Sequence, residues 1–201
     1  IIAPPTQTKK WEIEFNKQAP NEDLLIGYET ENPEEIECVL VWGHPKGSLE
    51  KFKNLKLIFS MGAGVDHILN DETIPKNIPI SRIVDPQMAF SMTNYILMAV
   101  LNYQRCWYDF QDAQRKGHWA QFEFDEKILS IGILGIGHLG MDAAEAFHRL
   151  GFKVSGYSNS PKKTIFPSFY GNQFEDFLAD INVLICTVPL TPKTKGLLNF
   201  E

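Results

Sequence analysis

The sequence of 201 residues is 44% hydrophobic and carries a formal net charge of -6 at pH 7. This length and composition suit one or two globular domains with a buried core. An acidic balance without a long basic cluster argues against nucleic acid or an anionic membrane as the main partner, so we expect a small-molecule ligand. No apolar run approaches the roughly 18 residues of a membrane span, and no signal-peptide pattern is present, which predicts a cytoplasmic protein.

The cysteines Cys38, Cys106 and Cys186 are far apart in the sequence and show no metal-ligand spacing. Two of them lie in apolar runs that are typical of buried strands. We therefore expect reduced, structural, intracellular cysteines and no metal site.

The first part of the chain alternates short apolar runs with polar segments. The run at 38–42 (CVLVW) is continuously apolar, which suits a parallel strand covered on both faces. A polar helix is expected at 9–17. The pattern predicts a small α/β unit whose strands lie at 1–3, 23–28, 38–42, 55–60 and 78–84.

Residues 61–67 (MGAGVDH) form a glycine turn between a predicted strand and a short predicted helix. The backbone N–H groups of such a turn can hold a carboxylate. The alternative is an ordinary strand-to-helix turn in which Asp66 caps the helix. The pattern alone leaves both interpretations open.

Residues 86–116 are predicted to form one long helix that ends at Gly117. Its first half is apolar, which suggests burial between two domains. We place the domain boundary near residue 86, with a substrate domain at 1–86 and a nucleotide-binding domain at 87–201. The apolar bulk of the helix comes from Phe90, Tyr95, Met98, Leu101 and Trp107.

Residues 130–140 (SIGILGIGHLG) contain a glycine triplet after a short apolar run. Gly135 would permit a tight turn, Gly137 would let the backbone approach a pyrophosphate, and Gly140 would let helix and strand pack closely. The free N–H groups of the helix start, near His138 and Leu139, would face the phosphates. The spacing by itself is a weak signal, because a glycine-rich turn without a ligand would look the same.

The segments that follow the triplet strengthen its interpretation. Leu139, Ala143, Phe147 and Leu150 recur at helical spacing and predict a helix of about three turns. Strands are predicted at 153–157 and within 179–186, and the repeating β-α-β order implies a parallel sheet. The fold class is therefore α/β.

With these motifs in this order, the sequence resembles the D-isomer-specific 2-hydroxyacid dehydrogenases, most closely their glyoxylate/hydroxypyruvate reductase A branch. The resemblance covers essentially all 201 residues. It implies a flavodoxin-like substrate domain, followed by the first half of a Rossmann-type dinucleotide-binding domain. The matching pieces are residues 41–42, 60–68, the helix closing at 117–119, the glycine triplet and 187–199.

The resemblance also assigns binding residues. It places the substrate carboxylate on the backbone N–H groups of Ala63 and Gly64. Trp42 matches a residue near the substrate mouth, although a buried core tryptophan is an alternative. The stretch Thr187, Val188 and Pro189 resembles the family's backbone contacts to the adenosine side of the cofactor, at a sheet edge where α/β proteins bind ligands.

The choice of nicotinamide cofactor is expected to depend on the residues that close the second strand of the nucleotide-binding domain. That position reads Ser158, Asn159, Ser160, Pro161, Lys162 and Lys163, without a carboxylate to repel a 2′-phosphate. NADP(H) is therefore favoured and NAD(H) stays possible. Asn159 stands where close relatives carry an arginine, and the two lysines are alternatively solvated loop charges.

The implied activity is that of an oxidoreductase that reduces small 2-keto acids, such as glyoxylate and hydroxypyruvate, to D-2-hydroxy acids by hydride transfer from NADPH. The alternatives are an NAD-linked relative, such as a phosphoglycerate or lactate dehydrogenase, and a non-catalytic cofactor-sensing protein of this fold. The resemblance also implies a homodimer formed through the long helix and the Trp119 loop.

Nothing in the chain matches the family's catalytic arginine, carboxylate and histidine, which are expected after residue 201. None of the five histidines is assigned to catalysis, and His44, His67 and His118 are predicted to be surface or capping residues. The strand within 179–186 is expected to have an unpaired outer side. We therefore expect these residues to be part of a protein of about two full domains.

Overall fold

The computed structural model describes residues 1–121 and 129–199 of the chain. It consists of two compact units, one formed by Ile1–Val84 together with the segment from Pro189 onward, the other by Asp85–Val188. Both units are built from parallel strands and helices, which confirms the α/β class. The division of the chain into a substrate domain and a nucleotide-binding domain at residue 86 stays a prediction.

The first unit contains a three-stranded parallel sheet in the order β1-β2-β3. Its core contains the fully buried Val41 and Ile58 of the sheet. Leu49, Phe52 and Ile68 belong to the same cluster of buried side chains. The strands are β1 (Cys38–Val41), β2 (Leu57–Ser60) and β3 (Ile80–Arg82), and the helices are α1 (Pro5–Gln18), a 3-10 turn (Pro33–Glu35) and α2 (Asp66–Leu69).

Two strands predicted for the first unit are absent as regular strands from the described residues. Residues 1–3 contribute only an isolated parallel bridge between Ile2 and Val41. Residues 23–28 are irregular, although the Ile1 amino group donates to the Leu25 carbonyl and the Gly27 amide donates to the Ile1 carbonyl. Gly27 has φ +91°, a left-handed conformation that interrupts an extended run and explains why the strand does not form.

The second unit contains a four-stranded parallel sheet in the order β6-β5-β4-β7. Both strands expected after the glycine triplet are present, and the sequence pattern did not predict β6 or α6. The strands are β4 (Ser130–Leu134), β5 (Lys153–Ser158), β6 (Ser168–Tyr170) and β7 (Val183–Cys186), and the helices are α3 (Pro86–Gln104), α4 (Trp107–Arg115), α5 (His138–Arg149) and α6 (Phe174–Leu178).

The core of the second unit surrounds β4, the central strand. Ile131 and Ile133 are fully buried between flanking helices, with Phe147 of α5 packed against them. Burial of such side chains contributes roughly 1.5–3 kcal/mol each. Because β4 and α5 are fixed by this packing, the short turn that joins them has a defined position.

The single long helix predicted at 86–116 is wrong, because the chain forms α3 and α4 with a break between them. Asp85 starts α3 by accepting from the Gln87 amide, and Pro86 occupies its first turn. Cys106 has φ 50° and precedes α4, so a left-handed residue redirects the chain. No helix among the described residues is long and apolar enough to cross a membrane.

The predicted burial of the apolar half of this segment is also wrong. The stripe of α3 that packs inward consists of smaller residues at helical spacing. Large side chains lie on the opposite, exposed face. The buried set is Ala89, Thr93, Ile96 and Val100, and the exposed set is Phe90, Tyr95, Met98, Leu101 and, on α4, Trp107.

The expected burial of the cysteines is not found. All three are free thiols, but Cys38 and Cys186 are exposed. Cys38 is the first residue of β1 and Cys186 the last residue of β7, so each lies at a strand end beyond the packed core. Partial burial still raises the pKa of the Cys38 thiol.

Candidate functional site

The second glycine turn, residues 135–140, joins β4 to α5. Gly135 has φ +101°, which favours glycine, and its amide donates to the Tyr157 carbonyl at 2.9 Å. The Gly137 amide donates to the Gly135 carbonyl at 2.8 Å, and Gly137 is the N-cap of α5. The turn therefore has the strand-glycine-helix geometry that the sequence predicted.

The three glycines have different steric roles. A side chain at Gly135 would come within 2.9 Å of the Val188 amide nitrogen, and one at Gly140 would overlap the Gly135 carbonyl and the Thr187 hydroxyl. A side chain at Gly137 would meet no atom of residues 1–121 or 129–199 within 4 Å. Gly135 and Gly140 are thus required by packing, whereas Gly137 keeps a space open beside the helix start.

The first turn of α5 presents unpaired backbone donors. Within the described parts of the chain, the amides of His138, Leu139 and Gly140 have no hydrogen-bond acceptor, and no side chain caps the helix. A helix start with free N–H groups and a positive dipole end favours an anion. The open space at Gly137 and these donors fit a pyrophosphate, and their role in binding one stays a prediction.

The end of β5 contains the residues predicted to contact the adenosine ribose. The Ser158 hydroxyl donates to the Ser160 carbonyl at 2.7 Å, and the Lys162 carbonyl accepts from the Ser168 hydroxyl at 3.1 Å. Asn159, Ser160 and the lysine side chain are exposed. This segment therefore offers hydroxyl, amide and ammonium groups without a carboxylate.

The segment after β7 lies against the second glycine turn. The Thr187 amide donates to the Leu134 carbonyl at 2.8 Å, and its hydroxyl donates to the Gly135 carbonyl at 2.7 Å. Val188 makes the close approach to Gly135 described above. Pro189 is exposed, and its carbonyl accepts from the Thr194 hydroxyl at 2.6 Å. The structure thus brings Thr187 and Val188 to the glycine turn.

The first glycine turn, residues 61–67, joins β2 to α2 in the first unit. The buried Ser60 hydroxyl donates to the Gly64 carbonyl at 2.7 Å and accepts from the Gly62 amide at 3.3 Å. In residues 1–121 and 129–199, the amides of Ala63 and Gly64 have no acceptor. Val65, not Asp66, is the N-cap of α2. Two free donors are therefore adjacent on a turn that a buried serine holds.

Trp42 follows β1 and is 44% exposed, so the alternative of a buried core tryptophan is wrong. Its amide donates to the Ile2 carbonyl at 2.8 Å. The preceding carbonyl, that of Val41, accepts from the Met61 amide at 2.9 Å, which ties the end of β1 to the start of the first glycine turn. An exposed indole and a donor-rich turn thus belong to the same unit.

The sequence analysis did not predict a buried, hydrogen-bonded pair of side chains beside this turn. His44 is 6% exposed, so its prediction as a surface or capping residue is wrong, and its Nε2 lies 3.1 Å from Asp71 Oδ2. Asp71 also accepts from the Gly47 amide and from the amide and hydroxyl of Thr73. Burial alone would raise the pKa of Asp71, but the hydrogen bonds, those of Thr73 first, outweigh burial and lower the pKa to about 2.

His67, the last residue of the first glycine turn, is half-buried rather than a surface residue. Burial lowers its pKa, and His44 lowers it further, against smaller raising effects of Asp66 and of a hydrogen bond to the Val41 carbonyl. The His44 and His67 rings are 5.8 Å apart between centroids. His44 Nδ1 and His67 Nε2 are both buried without a hydrogen-bond partner among the described residues.

His118, the third of these histidines, is exposed, as predicted. In the parts of the chain that are described, no group of three or more His, Cys, Asp and Glu side chains could hold a metal ion.

The fold and the second glycine turn define a Rossmann-type nucleotide-binding class of protein. The comparison with protein families is more specific. The model of the D-isomer specific 2-hydroxyacid dehydrogenase NAD binding domain matches residues 97–201, more than half of the chain, so the chain belongs to this family. The resemblance noted from the sequence motifs is confirmed.

Curated relatives of the chain include two proteins named glyoxylate/hydroxypyruvate reductase A. The one from Photorhabdus laumondii subsp. laumondii is 34% identical over 200 residues, covering 96% of this chain and 64% of the relative. The one from Serratia proteamaculans is 38% identical over 168 residues, covering 80% of this chain and 54% of the relative. The chain therefore spans less than two thirds of the length of these relatives.

Solved structures give the same picture. A D-isomer specific 2-hydroxyacid dehydrogenase from Xanthobacter autotrophicus Py2, in complex with NADPH and MES, has a TM-score of 0.88 at 33% identity, covering 98% of this chain and 66% of that one. The NADPH-dependent glyoxylate/hydroxypyruvate reductase from Sinorhizobium meliloti, in complex with NADP and sulfate, has a TM-score of 0.85 at 28% identity, covering 96% and 62%.

Proposed function

We propose that this chain binds NADPH at the second glycine turn, as part of a reductase of small 2-keto acids. The observation that carries the proposal is the combination of free amides at His138, Leu139 and Gly140 with the open space at Gly137. The amides would hold the pyrophosphate and the open space would admit it. Thr187, Val188 and Pro189 would line the adenosine side.

NADPH is favoured over NADH because no carboxylate closes β5. Ser158, Asn159, Ser160 and Lys162 would contact the 2′-phosphate, the hydroxyls by hydrogen bonds and the lysine as a point charge. Structurally similar relatives from Xanthobacter autotrophicus Py2, Sinorhizobium meliloti and Rhizobium etli CFN 42 are described in complex with NADPH or NADP, which supports this choice.

The substrate class is proposed from the first glycine turn and from the names of the relatives. The amides of Ala63 and Gly64 would donate to the carboxylate of a 2-keto acid, with the Trp42 indole beside it. Glyoxylate and hydroxypyruvate are the acids in the names of the curated relatives. When bound, NADPH supplies a hydride to the keto carbon, and a proton completes the D-2-hydroxy acid.

Proton transfer is not assigned to any described side chain. His118, His138 and His148 are exposed on the second unit, and His44 is committed to Asp71. We propose that the arginine, carboxylate and histidine of the family's chemistry lie outside residues 1–201. The chain then contributes the carboxylate turn and the cofactor turn of the enzyme.

The remaining expectations are proposals with supporting observations. We propose a substrate domain at 1–86 and a nucleotide-binding domain at 87–201.

Free thiols at all three cysteines support a reducing compartment such as the cytoplasm. Exposed aromatic side chains support a homodimer through the long helical segment and the Trp119 loop, the latter residue being 88% exposed. The aromatic set is Tyr95, Tyr103, Trp107 and Trp119.

The test is a fluorescence titration of the chain with NADPH and with NADH. We expect tighter binding of NADPH, and we expect Ser158→Asp to reverse the preference by about tenfold or more, because a carboxylate repels the 2′-phosphate and accepts from a ribose hydroxyl. Asn172→Asp, an exposed change in the loop after β6, adds the same charge and should leave the preference unchanged.

Two outcomes would contradict the proposal. If the unsubstituted chain binds neither nucleotide, the second glycine turn is only a structural turn. If Ser158→Asp and Asn172→Asp weaken NADPH equally, general charge rather than the end of β5 determines the cofactor. Turnover of glyoxylate with NADPH by the longer protein would separate the reductase from a cofactor-sensing protein that binds without reaction.

A further inference from the structure

The buried pair of His44 and Asp71 has no role in the proposed reaction, yet it lies in the same unit as the first glycine turn. The side chains are almost completely inaccessible, at 0% and 1% exposure. A buried ionisable pair is costly unless its hydrogen bonds are satisfied. Asp71 is satisfied by four hydrogen bonds, but the second nitrogen of His44 is not.

The tautomer of His44 follows from its partner. Asp71 is ionised at neutral pH, so its carboxylate only accepts hydrogen bonds. Nε2 of His44 must therefore carry a proton and donate it, which leaves Nδ1 to make a separate hydrogen bond. Nδ1 is buried and has no hydrogen-bond partner among the described residues.

His67 presents a second buried nitrogen. The Val41 carbonyl raises the pKa of His67, as an acceptor that faces a ring N–H does. Nε2 is buried without a partner among the described residues, so Nδ1 is the nitrogen that would face this carbonyl and carry the proton. Burial is the larger effect and lowers the pKa, which favours the neutral ring in which Nε2 is an acceptor. Two buried nitrogens on neighbouring rings thus lack a hydrogen-bond partner among the described residues.

We propose that one buried water molecule donates to both His44 Nδ1 and His67 Nε2, and that this bridge positions the first glycine turn for its carboxylate ligand. A water has the two donors that the pair lacks, and buried waters commonly satisfy such polar groups. The inference rests on the proposed function, since it concerns how the proposed substrate turn is held. His44 and His67 are positioning residues.

The bridge explains how the turn is fixed at both ends. The Val41 carbonyl accepts from the Met61 amide at the start of the turn, and it raises the pKa of His67 at the end of the turn. The water would join His67 to His44, and Asp71, just after α2, anchors His44 and the Gly47 amide. The loop that contains Trp42 and the turn that contains the free amides are thereby held in one arrangement.

The first measurement is the tautomeric state of each histidine by nitrogen NMR of the chain. We expect protonated Nε2 in His44 and protonated Nδ1 in His67. The reverse tautomer in either ring would overturn the bridge. Binding of added Zn²⁺ through these two nitrogens would also overturn it, because both would then be metal ligands rather than acceptors from water.

The second measurement is binding of oxalate, used as a 2-keto acid analogue, followed by the amide resonances of Ala63 and Gly64. His44→Phe should weaken oxalate about tenfold, because the phenyl ring supplies no acceptor for the water. His44→Gln should retain most of the affinity, because its amide donates to Asp71 and its carbonyl accepts. The exposed control His118→Phe should bind as the unsubstituted chain does.

The outcomes separate this inference from the proposed function. Equal oxalate affinity in a folded His44→Phe variant would overturn the positioning role. If His44→Phe fails to fold, the tautomers and the His44→Gln affinity decide. If oxalate leaves the Ala63 and Gly64 resonances of the unsubstituted chain unchanged, the proposed substrate turn fails. The positioning role is then tested without oxalate. His44→Gln should leave the resonances of residues 61–67 unchanged, and His44→Phe should shift them.

Discussion

The two glycine turns both present free backbone amides, but different kinds of contact hold them in place. Each follows a parallel strand, precedes a helix and presents backbone donors that have no acceptor in the described parts of the chain. The second turn is held by steric contact, because a side chain at Gly140 would overlap the Gly135 carbonyl. The first is held by polar side chains, with Ser60 at the end of the preceding strand and His44 and Asp71 beside the turn.

This difference determines which kind of change in the protein would disrupt each turn. A turn held by close backbone approach fails when volume is added, because packed atoms cannot move apart cheaply. A turn held by buried polar groups fails when a partner is removed or protonated, because the remaining group is left unsatisfied. Substitutions and changes of pH at the two turns test this contrast.

Gly140→Ala should have the largest effect. The new methyl group would overlap the Gly135 carbonyl and lie 2.7 Å from the Thr187 hydroxyl, so strand and helix must separate. We expect a loss of about 3 kcal/mol in the free energy of unfolding and loss of NADPH binding. Urea denaturation measures the first and fluorescence titration the second. Unchanged stability would show that the second turn is not held sterically.

Acid should destabilise the first turn selectively. The pKa of Asp71 is lowered from 3.8 to about 2, so its ionised form contributes about 2 kcal/mol above pH 4, which is lost as the pH falls towards 2. The lowered pKa of His67 acts earlier, because the unfolded histidine binds a proton below about pH 6.5 and the folded one resists it. Stability should therefore decrease as the pH falls below 6.5.

Urea denaturation across pH 2 to 7 measures both parts of this dependence. Asp71→Asn removes the carboxylate and should flatten the part between pH 4 and 2, and His67→Asn should flatten the part below pH 6.5. Persistence of the steep acid region in Asp71→Asn would assign it to other carboxylates and weaken the contrast between the turns.

Ser60→Ala should cost about 1.5 kcal/mol in the free energy of unfolding. The hydroxyl is fully buried and bonds both Gly62 and Gly64, so its removal leaves backbone groups of the first turn unsatisfied. Ser81→Ala, at an exposed position of β3, is the matched control and should cost less than about 0.5 kcal/mol. Equal melting temperatures for the two variants would show that Ser60 does not hold the turn.

Gly137→Ala should have the smallest effect on stability. Its φ is -80° and a side chain there meets no atom, so we expect a change below about 0.5 kcal/mol. NADPH affinity should still fall about tenfold, because the methyl group enters the space proposed for the pyrophosphate. This variant thus separates binding from folding. A fall in stability as large as that of Gly140→Ala would mean that both glycines serve packing.

The parts of the fold that the sequence predicted well are those with local signals. The apolar run of β4, the triplet and the periodic face of α5 each report on their own conformation, and the parallel order followed from them. The same holds for β1 and β2. Predictions failed where a single backbone angle decided the outcome, at Gly27 and Cys106, because no periodicity records such an angle.

The candidate sites were predictable to the extent that they are backbone sites. Glycine spacing indicated both turns, since free N–H groups need no particular side chain. The pair of His44 and Asp71 was missed because it joins residues 27 positions apart, and neither residue belongs to a motif. A histidine two residues after a buried strand was the only signal, and it equally suited a surface loop.

The left-handed conformation of Cys106 has a mechanical consequence. A residue with a Cβ in this region costs about 1 kcal/mol, and a backbone that adopted helical angles there would merge α3 and α4 into one rod. The direction of α4 thus depends on the backbone angles of Cys106, which a residue with a Cβ atom disfavours. Glycine at position 106 would adopt this conformation without steric cost, whereas a β-branched residue would disfavour it more strongly than cysteine does.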